Sequence, residues 1–285
     1  MQSNKLTLSV FKGQTATVNS YIFCNGTSQI VTDVLRSSEE AKQLALQIKS
    51  NNCPLTHILI THGHPDHYLG MDILHKEFPG AKIVVASQEI KNDIIGFSQW
   101  MESVGWLDGE VNLKPKSEKN TTGFDYDNLI SVLTTNQFTL DGGGTLELDT
   151  NYNPAEAEHL TTVYSKDLNA LFTSDFCYHD VHLWLGVGVD KAHMENWKNQ
   201  LAEFKVKYAK LNPVIYPGHG EPSNMSLFDK VIAYIETFES VTSKAKTKKE
   251  AMDEMIAHYP TWKQADFLLL YSVDFHVKEL PESKV

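Results

Sequence analysis

Apolar and polar side chains alternate over Leu6 to Phe11 and again over Val18 to Cys24, the period of half-buried strands. Asn25-Gly26 supplies turn chemistry, and the strand pattern resumes from Gln29 to Val34, so the chain opens as a β-meander. Ala41, Leu44, Ala45 and Ile48 then recur at helical spacing behind a capping box of Ser37 and Glu40, which predicts a surface helix with one apolar stripe. The apolar run Ile58-Leu59-Ile60 reads as a buried strand, followed by a helix to about Phe78 and a strand from Lys82 to Ser87. From about residue 94 to 133 the periodicity fails, and this stretch is expected to be an irregular insertion. Trp100 and Trp106 within it have two readings, core aromatics or walls of a substrate pocket.

The pattern then repeats in kind. Asp141-Gly142-Gly143-Gly144 turns the chain between Phe138–Leu140 and Thr145–Leu148, and Thr161 to Ser165 with Ala170 to Ser174 predicts a hairpin closed by Lys166-Asp167-Leu168-Asn169. Met194, Trp197, Leu201, Phe204 and Tyr208 mark an amphipathic helix, and Val214-Ile215-Tyr216 a short strand entering Pro217-Gly218-His219-Gly220. Helices fill most of the remainder, with Thr247 and Glu250 as a second capping box. No sequence repeat accompanies these two β-then-α halves, and the chain reads as one domain over residues 1–285 with a helical C-terminal part.

Chemistry concentrates in Thr61-His62-Gly63-His64-Pro65-Asp66-His67, directly after the Ile58-Leu59-Ile60 strand. Imidazole nitrogen and carboxylate oxygen suit zinc and related divalent ions. His62 and His64 can converge from a tight loop on one ion, while Asp66 and His67, at the start of the next helix, point at a neighbouring position; Pro65 fits that helix's first turn. Three further groups stand at strand ends: His159, Asp175 and His219.

The loop resembles the signature of the metallo-β-lactamase-fold hydrolases. That resemblance implies a four-layer αβ/βα sandwich of the α+β class. Carried over residue by residue, it implies a first ion held by His62, His64 and His159, a second by Asp66, His67 and His219, and Asp175 bridging them. The ions would be zinc, with manganese or iron as alternatives. An aspartate at the bridging place is similar to the thioesterase, lactonase and phosphodiesterase branches, whereas true β-lactamases usually carry cysteine or another histidine near this metal. The third motif departs from the family: in Pro154-Ala155-Glu156-Ala157-Glu158-His159 only the final histidine survives.

The implied activity is hydrolysis. Two ions roughly 3.5–4 Å apart share a hydroxide whose pKa is lowered to about 7, and that hydroxide attacks a lactone, ester or thioester while Asp66 orients it and passes a proton to the leaving group. Tyr178, three places after Asp175, is similar in placement to the phenol of acyl-homoserine lactonases, which implies a donor at the scissile carbonyl. Two alternatives stand beside this reading: a phosphodiesterase or nucleic-acid-processing member, and a non-hydrolytic metal-binding or redox member. His64 argues against the di-iron redox relatives, which carry glutamate there.

Several residues keep two readings. Cys177 is a metal contact or a core thiol, His179 and His182 touch substrate or lie on the surface, and Glu158 orients a ligand or is a solvated loop carboxylate. His57 alternates with Leu55 and Leu59 and reads as structural. Charge narrows the partners: a formal net charge of −11 disfavours nucleic acid. No run approaches a membrane span and no secretory pattern opens the sequence, so a small-molecule substrate and a cytoplasmic location are expected. Three widely spaced cysteines, Cys24, Cys53 and Cys177, are expected to be reduced.

Overall fold

The computed structural model describes residues 5–108 and 112–278, which fall into two compact units. The first holds the chain up to Asn151 together with His159–Ser174; the second holds Tyr152–Glu158 and everything after Ser174.

In the first unit, β1 (Thr7–Lys12), β2 (Asn19–Cys24) and β3 (Gln29–Thr32) form the expected meander, with antiparallel pairs such as Val10 to Tyr21 and Tyr21 to Thr32. The chain then crosses through α1 (Ser38–Ser50) to β4 (Leu55–Leu59), which lies parallel to β3. Ser37 caps α1 by accepting the Glu40 N–H, and Ala41, Leu44, Ala45 and Ile48 are its buried face. Glu40 does not complete the reciprocal box, because its carboxylate accepts from the Thr15 N–H at 3.1 Å as well as from Gln14 N–H, tying the β1–β2 loop to the helix.

Beyond β4 come α2 (Pro65–Tyr68), α3 (Met71–Glu77) and β5 (Lys82–Val85). Helix α4 (Gln88–Ser103) follows, then α5 (Tyr126–Leu129) and β6 (Ile130–Val132). The six strands β1 to β6 lie in sequence order in one sheet, parallel from β3 onward. Ile22, Val31, Ile58, Ile60, Ile83 and Val85 from this sheet join Leu44, Ile48, Tyr68, Ile94 and Met101 in the core.

Helix α4 corrects the reading of residues 94–133 as irregular throughout. Ile90, Ile94, Ser98 and Met101 form its buried face, but a serine inside that stripe and apolar Trp100 outside it hide the period from the sequence.

A second sheet has the order β11-β10-β9-β8-β7, with β7 (Gln137–Thr139), β8 (Thr145–Asp149), β9 (Thr162–Ser165), β10 (Ala170–His179) and β11 (Val214–Gly220). Strand β10 runs five residues past the expected end at Ser174 and crosses from the first unit into the second. Strand β11 runs through His219, which therefore lies within a strand.

The second unit adds α6 (Lys191–Tyr208), α7 (Ser226–Lys244) and α8 (Lys248–His258), then a π-helical turn over Ala265–Leu269 that leads into α9 (Leu270–His276). Trp197 of α6 is fully buried, and its indole N–H donates to the Phe176 carbonyl of β10 at 2.9 Å. Among the described residues no helix is long and apolar enough to cross a membrane.

Candidate metal centre

The histidine loop begins where β4 ends. It is held by Asp33, the residue after β3, whose backbone lies in the left-handed region at φ 55°. Strain of that kind at a non-glycine residue persists where surrounding bonds over-determine it, and here they do. Asp33 Oδ1 accepts the Thr61 backbone N–H (2.9 Å), while Oδ2 accepts the Thr61 hydroxyl (2.9 Å) and His67 Nδ1 (2.9 Å).

A carboxylate only accepts, so the proton of His67 sits on Nδ1 and Nε2 carries the lone pair. His62 is oriented from the same side: its Nδ1 lies 3.1 Å from the Thr61 hydroxyl and 3.2 Å from the Ser174 hydroxyl. His62 and His67 are fully buried, with ring centroids 4.2 Å apart; His64 and Asp66 are half-buried. The ligand atoms of His62 and His64 lie within 4.8 Å of each other, as do those of Asp66 and His67.

His159 reaches the same loop through the backbone. The Thr161 N–H donates to the Thr61 carbonyl at 2.9 Å, and Leu160 bridges His62, so the chain enters β9 alongside the histidines. Its Nδ1 donates to Asp93 Oδ2 on α4 at 2.8 Å, with the side chain 40% exposed. The approach of α4 depends on Gly63: a Cβ there would fall 2.7 Å from Asp93 Cβ. The aromatic residues of α4 begin at the loop, since Phe97 lies 6.4 Å from the His64 ring and 5.2 Å from Trp100, which in turn packs on Trp106 at 5.0 Å. Both tryptophans are about half exposed and so are not core residues.

The second unit carries its own donors. Asp175, Glu156 and His219 are buried to 1% exposure, and the oxygens of the two carboxylates lie within 4.8 Å of each other. The Tyr178 hydroxyl donates to Asp175 Oδ2 at 2.6 Å and approaches Glu156 Oε1 at 3.1 Å. His219 Nε2 lies 3.2 Å from Asp175 Oδ2, and the Tyr178 and His219 rings stack at 4.4 Å and 4°. Two carboxylates brought together out of water repel and lose hydration, which a bound cation compensates. The donor chemistry in both units, imidazole nitrogen with carboxylate oxygen, therefore fits a divalent metal.

Glu156 is the donor the sequence reading missed. It occupies the third-motif segment whose match to the family pattern is poor, and no periodicity marks it as buried. Glu158, two places on, is exposed and pairs with His193 Nε2 at 3.2 Å. Burial opposes the charge on His193, but the carboxylates of Asp190 and Glu158 outweigh it and raise the imidazole's pKa.

The other residues with two readings have the following places. Cys177 is buried in β10. His179 is half-buried and donates to the Glu221 carbonyl at 2.8 Å. His182 is buried among Tyr234, Tyr259 and Trp262, bonded to the Tyr234 hydroxyl at 2.8 Å, which makes it a core residue of the second unit. His57 packs edge-on against Phe138 at 4.4 Å, and burial, with Lys82 nearby, lowers its pKa.

Two sheets with helices, and in each unit histidines and carboxylates that could hold a metal, place the chain in the mixed α+β class with candidate metal-ligand sets. Its family follows from the sequence match, because the description "Metallo-beta-lactamase superfamily" fits residues 14–219 and the chain belongs to that superfamily, whose members are mostly metal-dependent hydrolases.

Solved structures agree on the fold. A metallo-beta-lactamase family protein from Thermus thermophilus is 17% identical, with 95% of this chain and 91% of that one covered at a TM-score of 0.65. The DIM-1 metallo-beta-lactamase exposed to ceftazidime is 18% identical over 81% of this chain and 92% of its own, at 0.54. A metallo-beta-lactamase from Pontibacter korlensis is 19% identical over 81% and 94%, at 0.52. Comparison with curated proteins yields no match. The fold is thus the metallo-β-lactamase sandwich, as the histidine loop implied.

Proposed function

We propose that this chain is a dinuclear metal-dependent hydrolase of a small ester-like substrate, a lactone, ester or thioester. One observation carries the metal assignment: His67 and His159 each turn Nδ1 to a carboxylate, Asp33 and Asp93, at 2.9 and 2.8 Å. Ligating histidines are characteristically held this way, with the tautomer fixed so that Nε2 coordinates.

His62, His64 and His159 would hold one ion, Asp66, His67 and His219 the other, with Asp175 shared and Glu156 beside it. Bound ions of this kind lower the pKa of water and polarise a carbonyl.

The protein's own groups do the rest. Asp66, half-buried beside His67, orients the attacking water and carries its proton to the leaving group. Tyr178 is fixed by its stacking on His219. With Asp175 and Glu156 engaged in coordination, its proton is available to the carbonyl oxygen as negative charge develops there. Within that class, the lactone reading is supported by Tyr178 alone, placed in sequence as in the lactonases, because the aspartate at the shared position is common to the thioesterase, lactonase and phosphodiesterase branches.

The test is a substrate panel of lactones, esters, thioesters and phosphodiesters run on metal-loaded protein. The reading expects turnover of a lactone or ester, and Tyr178→Phe should lower it by on the order of tenfold while metal content stays the same. Turnover of phosphodiesters with every ester untouched would contradict the substrate class. Full activity in Tyr178→Phe would remove the phenol from the chemistry.

A further inference from the structure

Cys24 and Cys53 are 29 residues apart in sequence, yet their sulfurs lie 2.9 Å from each other at the end of the first sheet where β2 finishes and β4 begins. Both are half-buried, so small reagents can reach them, while Cys177 is buried in β10. The surrounding bonds hold the pair in register. Gln29 Nε2 donates to the Cys53 carbonyl at 2.7 Å and to the Ile48 carbonyl at 2.9 Å, and the Gln29 N–H donates to the Pro54 carbonyl at 2.9 Å. The Gly26 N–H points at Cys24 Sγ at 3.4 Å.

The distance discriminates between uses of two thiols. Sulfurs sharing a zinc ion stand about 3.8 Å apart, from Zn–S bonds of about 2.3 Å in tetrahedral geometry. A disulfide needs about 2.05 Å. At 2.9 Å the pair is too close for chelation, and small side-chain rotations suffice for a covalent bond.

We propose that Cys24 and Cys53 are a thiol modification site that closes to an intramolecular disulfide by exchange with a low-molecular-weight disulfide. This inference is independent of the hydrolase reading. In the first step Cys24, having lost its proton to solvent, attacks one sulfur of the small disulfide; an S–S bond forms to Cys24 and one small thiolate leaves. In the second step Cys53 loses its proton and attacks the Cys24 sulfur, forming the Cys24–Cys53 bond and expelling the other small thiolate. Two electrons and two protons pass from the protein to the small disulfide, which becomes two thiols. The order follows from environment: burial, and then the bond to Cys24, push the Cys53 thiol up to about 12, so it is the slower group to ionise.

The bond would join the start of β4 to the end of β2, at the end of β4 remote from the histidine loop. It closes a loop that contains β3 and α1, so it restrains the unfolded chain and leaves the native contacts in place.

The experiment treats the full-length protein with oxidised glutathione, then counts titratable thiols under denaturing conditions and maps tryptic peptides without reduction. Three thiols should fall to one, with residues 13–36 and 50–76 recovered as a cross-linked peptide pair and a mass loss of about 2 Da that a dithiol reverses. The thermal midpoint of the oxidised form should rise by several degrees. Cys177→Ser should cross-link as the wild type does, while Cys24→Ser and Cys53→Ser should not. Three titratable thiols after prolonged treatment would overturn the proposal. So would glutathione retained on Cys24 or Cys53 without a cross-link, or a bridge to Cys177. The peptide map on wild-type protein decides this even if a serine variant folds poorly.

Discussion

Asp33 shows how a single buried side chain can govern a site it does not occupy. It accepts from the Thr61 N–H, the Thr61 hydroxyl and His67 Nδ1, and so fixes both the loop and the coordinating atom of His67. In Asp33→Asn one acceptor oxygen becomes an amide NH2, a donor that faces other donors. The fold should survive, because the chain geometry is unchanged, but metal affinity should fall by on the order of 10–100-fold. A chelator-competition titration measures this, and unchanged affinity would contradict the role given to Asp33. Four candidate donors share one loop and are legible in the sequence, but Asp175 and His219 lie within β10 and β11 and not at strand ends, and nothing in the sequence marks Glu156. Their supports were not legible. Asp33 is 28 positions from Thr61, Asp93 is 66 from His159, and Ser174 is 112 from His62, so only the folded sheets bring them together.

At the scale of elements, strands bounded by clear turn residues and helices with an unbroken apolar stripe, such as β2, β3 and α1, are legible in the sequence. Elements without a clean period are not. Strand β10 is buried on both faces almost throughout, and a positive φ of 48° at Ser174 breaks its regularity just before Asp175, so the reading stopped there. Helix α4 was hidden by Ser98 inside its apolar stripe. Its packing yields a test. In Gly63→Ala the new methyl would stand 2.7 Å from Asp93 Cβ and 3.2 Å from the Asp93 carbonyl carbon, so the helix must shift. The expected loss of stability is about 1–3 kcal/mol by urea unfolding, accompanied by weaker metal binding as His159 loses its partner. A change under about 0.5 kcal/mol would mean that α4 approaches the loop less closely than described.

For the whole molecule, stability against acid should depend on His182, which lies far from any coordinating role. Burial lowers its pKa to about 4 from an ordinary value near 6.5, so the folded protein keeps it neutral where the unfolded chain protonates it. Its contribution is therefore complete above pH 6.5 and is lost as pH falls from 6.5 towards 4, by at most about 3 kcal/mol. His182→Gln, which keeps a polar partner for Tyr234 and does not titrate, should flatten that part of the stability profile; an unchanged slope would assign acid sensitivity to other groups. The central claim is that the chain holds two divalent ions, with Asp175 among their ligands. Elemental analysis of protein expressed with added metal tests it most directly. Close to two ions per chain in the wild type, falling below one in Asp175→Ala, is the predicted result; no bound metal in the wild type, or two ions retained without Asp175, would contradict it.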